Sequence, residues 1–161
     1  MRENNHSGLG DLMSLRETAE PGNRDVQSII VAGNMEDCIA MEHCIKELFP
    51  SKSVIPVLNS DELIQLLSSY IPDLLIMDLQ MPCKKGVECL KQIREMSTYD
   101  PMPIVAYSTN QRQATAEVAY GLGASFCFTR PKGYPDLKDL MREIVEMDWR
   151  NVTRGKRMKS A

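Results

Sequence analysis

The chain has 161 residues, enough for one compact domain with tails, and 43% of them are hydrophobic, enough to bury a core without disulfides. A formal net charge of −3 excludes a general electrostatic attraction to nucleic acid or membrane surfaces. Five cysteines (Cys38, Cys44, Cys83, Cys89, Cys127) form no CxxC pair, which fits reduced thiols rather than a disulfide framework or a zinc site. No apolar run approaches the roughly 20 residues of a membrane span. The N-terminus lacks the apolar core of a signal peptide, so no membrane association and a cytoplasmic location are expected.

Residues 1–25 carry few bulky apolar groups and read as a flexible N-terminal arm, with scope for a short helix over Asp11 to Ala19. The folded part is expected over 26–149. Ile29-Ile30-Val31-Ala32 is a short apolar run, predicted as the first strand. Asn34 is placed to cap a helix running to about Leu48, with Cys38, Met41, Ile45 and Leu48 at helical spacing. Val54 to Leu58 reads as the second strand, and Pro56, which cannot donate to a ladder, assigns it to a sheet edge. Ser60 is expected to cap the second helix, striped by Leu63, Leu66, Leu67 and Tyr70.

Leu74-Leu75-Ile76-Met77 is apolar at every position, as in a parallel strand covered on both faces. Val87, Leu90 and Ile93 mark the third helix. Pro101 and Pro103 precede a fourth strand at Ile104-Val105-Ala106-Tyr107. A helix over Gln113 to Leu122, a strand over Ser125 to Phe128 and a helix lined by Leu137, Leu140, Met141, Ile144 and Val145, ending near Trp149, complete the series. The residues after it, 150–161, form a basic flexible tail holding Arg150, Arg154, Lys156, Arg157 and Lys159, read as solvated or as a contact for an acidic partner or nucleic acid.

Five strands alternating with five helices predict an α/β fold, a doubly wound five-stranded parallel sheet in the order 2-1-3-4-5. In such sheets ligands sit beyond the carboxyl ends of the strands, at the switch point between strands 1 and 3. Gly33 and Asn34 follow the first strand, Asp78 the third, Ser108 the fourth and Arg130 the fifth. A carboxylate there can act as a nucleophile toward phosphorus, with a hydroxyl and a cation to hold phosphoryl oxygens.

The segment Pro72-Asp73-Leu74-Leu75-Ile76-Met77-Asp78-Leu79-Gln80-Met81-Pro82 resembles the phospho-acceptor segment of response-regulator receiver domains. Gly86 stands at the family's loop glycine and Tyr107-Ser108-Thr109 resembles its hydroxyl switch. Gly123-Ala124 and Thr129-Arg130-Pro131 resemble the segment that ends in Lys-Pro. The resemblance covers about Ser28 to Trp149 and implies the flavodoxin-like fold. The single-domain form is similar to small stand-alone regulators, with no DNA-binding domain after the receiver.

The resemblance implies that Asp78 is the phospho-acceptor, that Ser108 bonds to the phosphoryl group and that the Gln80 carbonyl is a magnesium ligand. It also implies a cis bond at Arg130-Pro131. Two positions depart from the family. Gly33 and Asn34 stand where two acids hold magnesium. Glu36 and Asp37 follow in the first helical turn, where their expected role is to complement the helix dipole. Asp78, Asn34 and the Gln80 carbonyl would therefore hold Mg2+ weakly. Arg130 replaces lysine, keeping the charge with a longer planar fork.

Two readings stay open: a working receiver phosphorylated by a histidine kinase or phosphotransfer protein, or a degenerate receiver that binds partners without phosphotransfer. Output would pass to a protein partner. The expected face is the fourth helix, fifth strand and fifth helix, with Tyr120, Phe126 and Lys138 presented, and a weak homodimer through it is expected as well. An aspartyl phosphohydrolase would want an acid where Gln80 stands, and no glycine-rich loop or GxSxG elbow is present. His6 and His43 do not make a histidine phosphotransfer protein.

Overall fold

A computed structural model describes residues 26–81, 85–109 and 113–151. The expected arm, its Asp11–Ala19 helix, Pro82, Cys83 and the tail beyond residue 151 lie outside the described residues.

The elements alternate: β1 (Ser28–Ala32), α1 (Met35–Leu48), β2 (Ser53–Val57), α2 (Ser60–Leu67), β3 (Leu74–Asp78), α3 (Gly86–Arg94), β4 (Ile104–Ser108), α4 (Gln113–Gly121), β5 (Phe126–Thr129) and α5 (Tyr134–Glu146). The five strands form one sheet in the order β2-β1-β3-β4-β5, and every pairing is parallel. Exposed Pro56 lies on the outer strand, where its missing N–H costs no ladder bond.

Strand alternation divides the core in two. Ile29, Val31, Leu74, Ile76, Val105 and Tyr107 face α1 and α5, while Ile30, Ala32, Leu75, Met77, Ile104 and Ala106 face the opposite layer of helices. With both faces covered, these strands need apolar residues throughout, the signal by which the sequence marks them. Asp73 closes the amino-terminal edge, its Oδ2 accepting from the amides of Gln27 and Ser28 at 2.9 and 3.1 Å. The Trp149 indole donates to the Ile144 carbonyl at 2.9 Å and folds the chain back after α5.

The structure differs from the sequence reading in several places. Asn59 rather than Ser60 caps α2, accepting from the Glu62 amide at 2.9 Å; Ser60 is the first helical residue and is buried. A short 3-10 helix, Ser97–Tyr99, occupies the connection before β4. It is fixed by buried Arg94, whose guanidinium donates to the carbonyls of Tyr99, Met102 and Gly123 at 2.6, 2.8 and 2.9 Å.

The Arg130–Pro131 peptide is trans, like every peptide of the described residues. Trans is the intrinsically favoured isomer, and Arg130 Nη1 bonds the Pro131 carbonyl at 3.0 Å. Phe126 is not presented on the expected partner face. It is 3% exposed, because the inward parity of β5 places it in the core. On the same face the Tyr120 hydroxyl is turned inward to accept from the Cys127 amide at 3.1 Å, and Lys138 is half-buried, 3.4 Å from Glu47. Among the described residues no helix is long and apolar enough to cross a membrane.

Candidate functional site

The carboxyl ends of β1, β3, β4 and β5 converge on one rim. Asp78 ends β3 and is paired in register with Tyr107 of β4. Because Ile76 and Val105 face α1 and α5, alternation turns Asp78 and Tyr107 to that same side. Asp78 is 3% exposed, and its Oδ1 accepts from the Gln80 amide at 2.9 Å. Burial raises its pKa above the ordinary carboxylate value; the Gln80 N–H opposes this, and the nearby charge of Asp37 adds to it. Gly86, the first residue of α3, lies against the chain after Asp78. A Cβ there would collide with the Asp78 carbonyl and approach the Leu79 Cα to 2.6 Å.

Asp37 is the residue the sequence reading placed elsewhere. It does lie in the first turn of α1, but it is buried, and its carboxylate is the hub of the rim. Arg130 Nε lies 2.7 Å from Oδ1. The Tyr107 hydroxyl donates to Oδ2 at 3.1 Å and the Asn34 amide donates to it at 3.2 Å. In return Asn34 Oδ1 accepts from the Asp37 backbone amide at 2.8 Å, the cap expected for α1. An N-cap side chain and the acid three residues on thus hold each other, as in a capping box. That spacing, Asn34-x-x-Asp37, is the signal that ties Asp37 to the rim.

Arg130 therefore pairs with Asp37, not with Asp78. Its Nε–H is not aligned with the carboxylate, so the contact is an ion pair without a hydrogen bond. The Arg130 backbone amide donates to the Ser108 carbonyl at 2.9 Å, tying the loop after β5 to the end of β4. Ser108 is buried one residue beyond the Asp78–Tyr107 register pair.

Tyr107 also accounts for Gly33. A Cβ on Gly33 would overlap the Tyr107 hydroxyl and lie 3.3 Å from Asp78 Cβ. The space that a side chain after β1 would enter is filled by the phenol. Burial, Asp78 and Asp37 together push that phenol far above its usual pKa, so it remains a donor. Cys38, with its thiol directed at the carbonyls of Val31, Gly33 and Val57, is pushed up by burial to about 11 and is an unreactive packing group.

The sequence profile of the response regulator receiver domain matches residues 28–142. The chain belongs to the response-regulator receiver family. The receiver is 29% identical over 133 residues to a protein-glutamate methylesterase/protein-glutamine glutaminase of Methanosarcina mazei, covering 79% of this chain and 35% of that protein. It spans about a third of the length of the first such relatives it matches. In structure it is similar to the phosphorylated cyanobacterial phytochrome response regulator RcpA (TM-score 0.72, 21% identity, 81% of this chain and 99% of that one). It is also similar to the Mn(2+)-bound response regulator Rcp1 (TM-score 0.65, 19% identity, 73% and 91%). At these identities the two neighbours establish the fold.

Receiver domains commonly bind Mg2+ or Mn2+ at an acidic pocket. The residues here do not fit such an ion. Magnesium takes six hard oxygens, preferably anionic. Both oxygens of Asp37 are engaged by Arg130, Tyr107 and Asn34. The Asn34 oxygen serves the cap, and Asp78 Oδ1 serves the Gln80 amide. Among the described residues no cluster of three His, Cys, Asp or Glu side chains could hold a metal. The weak site expected from Asp78, Asn34 and Gln80 is reduced to one oxygen of Asp78 and a backbone carbonyl, beside the Arg130 cation.

Proposed function

We propose that this receiver accepts a phosphoryl group on Asp78 from a histidine kinase or phosphotransfer protein and passes the signal to a protein partner. The observation that carries the reading is Asp78 itself. A buried carboxylate ends the central strand, one oxygen is oriented by the Gln80 amide, and among the described residues the other makes no hydrogen bond. A lone buried carboxylate costs stability, and its position at the switch point of the sheet gives it a use.

The free Asp78 oxygen attacks the phosphorus. The bond from phosphorus to the donor imidazole nitrogen breaks, and its electron pair returns to the imidazole. Ser108, closing β4 beside Asp78, is the hydroxyl that meets a phosphoryl oxygen in this reading. Met35 and Ile39, each 60% exposed and one turn apart on α1, and Leu58 just beyond β2 form an apolar border to the same rim. They suit a protein phosphodonor whose histidine must reach Asp78.

The test is intact mass after incubation with acetyl phosphate and Mg2+. A gain of one phosphoryl group that is absent from Asp78→Asn supports the reading. No gain from the folded protein with any donor overturns it and leaves a binding module. Met35→Glu is expected to slow transfer from a protein donor while leaving transfer from acetyl phosphate unchanged.

A further inference from the structure

We propose that Asp78 takes up its phosphoryl group without a divalent cation, the Arg130 guanidinium moving from Asp37 onto the transferred group. This rests on Asp78 being the acceptor.

Three observations carry it. First, the place after β1 is closed to an acid, since Gly33 has the Tyr107 hydroxyl where its Cβ would be. Second, the cation already present is poised to change partners. Arg130 Nε is buried and has no hydrogen-bond partner although it lies 2.7 Å from Asp37 Oδ1. Charge alone holds that contact. Among the described residues the guanidinium's one hydrogen bond runs from Nη1 to the Pro131 carbonyl. The planar fork of arginine is shaped to meet two phosphoryl oxygens at once, which the point charge of a lysine is not.

Third, Asp37 is not left without donors by the exchange. Its Oδ2 keeps the Tyr107 hydroxyl at 3.1 Å and the Asn34 amide at 3.2 Å after Arg130 departs, and only Oδ1 gives up its contact. A phosphoryl group carries a charge of about −1.5 to −2 against −1 for a carboxylate, so the guanidinium follows the larger charge. Arg130 is bonded through its amide to the Ser108 carbonyl, so its movement is felt at the end of β4, where a partner can read it. With acetyl phosphate as donor the step balances. One Asp78 oxygen forms the new bond to phosphorus, the phosphorus–oxygen bond to the acetyl carboxylate breaks, and acetate leaves with that electron pair. No proton is transferred.

The experiment follows adduct formation by intact mass with acetyl phosphate, in EDTA and in Mg2+, for the parent, Arg130→Ala, Arg130→Lys and Asp37→Asn. Circular dichroism establishes that each is folded, and Mn2+ binding is titrated separately by electron paramagnetic resonance. The parent is expected to react at rates within twofold in EDTA and Mg2+, and to show no saturable Mn2+ binding into the millimolar range. Arg130→Ala should be at least tenfold slower in both media, with Arg130→Lys between.

Asp37→Asn, which frees Arg130 and removes a like charge from beside Asp78, should react at least threefold faster. In a metal-dependent pocket the same change would remove a ligand and slow the reaction. An adduct that forms only with Mg2+, saturable Mn2+ binding lost in Asp37→Asn, or an Arg130→Ala variant as fast as the parent overturns the proposal while leaving Asp78 as the acceptor. No adduct in either medium removes the acceptor reading itself, and this inference with it.

Discussion

Gly33→Ala adds one methyl group at the point where β1, β3 and β4 meet. The new carbon overlaps the Tyr107 hydroxyl and sits 3.5 Å from its Cζ and 3.3 Å from Asp78 Cβ. Forcing a methyl into a packed interior costs roughly 1–3 kcal/mol. The backbone at Gly33 does not have the positive φ that disfavours alanine, so the smaller unfolded-state entropy of alanine returns roughly 0.4–1 kcal/mol. The net loss expected is about 0–2.6 kcal/mol, or up to roughly 10 °C in Tm for a domain of this size. In a Tyr107→Phe background the overlapping oxygen is gone and the remaining contacts are close to ordinary. The cost of Gly33→Ala should therefore fall by about 1 kcal/mol or more, a coupling that a double-mutant cycle in urea resolves. If Gly33→Ala is equally costly in the Tyr107→Phe background, the phenol does not fill the place after β1.

Arg94→Met removes three charge-assisted bonds to buried carbonyls and should cost about 3–5 kcal/mol in urea denaturation, with α3 and the 3-10 turn affected first in hydrogen exchange. Asn34→Ala loses the α1 cap and should cost about 1 kcal/mol by thermal melting. Asp78→Asn should raise Tm at neutral pH. The folded pKa of Asp78 lies above its unfolded value, so the folded state loses stability as pH rises from the ordinary carboxylate range through the folded pKa. The advantage of the variant should therefore shrink as pH falls through the folded pKa and be lost by about 4, a trend followed by melting across a pH series.

The sheet was legible because its central strands are buried on both faces, so Ile29–Ala32 and Leu74–Met77 had to be apolar at every residue, and because Pro56 could lie only at an edge. Asp78, Ser108 and Arg130 were legible as polar residues ending apolar runs. Asp37 was not, because an acid in a first helical turn has a sufficient local reason in the helix dipole, and sequence does not reveal that this turn faces β4 and the loop after β5. Tyr107 was hidden by its strand. An aromatic among Ile104, Val105 and Ala106 reads as core, and its ring is core, stacked on Phe128 at 5.5 Å, while its hydroxyl belongs to the site. Arg94 follows Ile93 at the edge of an apolar stripe, where a charged residue ordinarily reaches solvent. Only the loop carbonyls folded over it make a buried guanidinium tolerable.

The most direct measurement of the central claim traps the acyl phosphate. Borohydride reduction after incubation with a phosphodonor converts a phospho-aspartate to homoserine, and peptide sequencing by mass spectrometry locates it. Homoserine at position 78 alone is the predicted result. Homoserine at another acid, or an unmodified Asp78 in protein that carries the added mass, would contradict it.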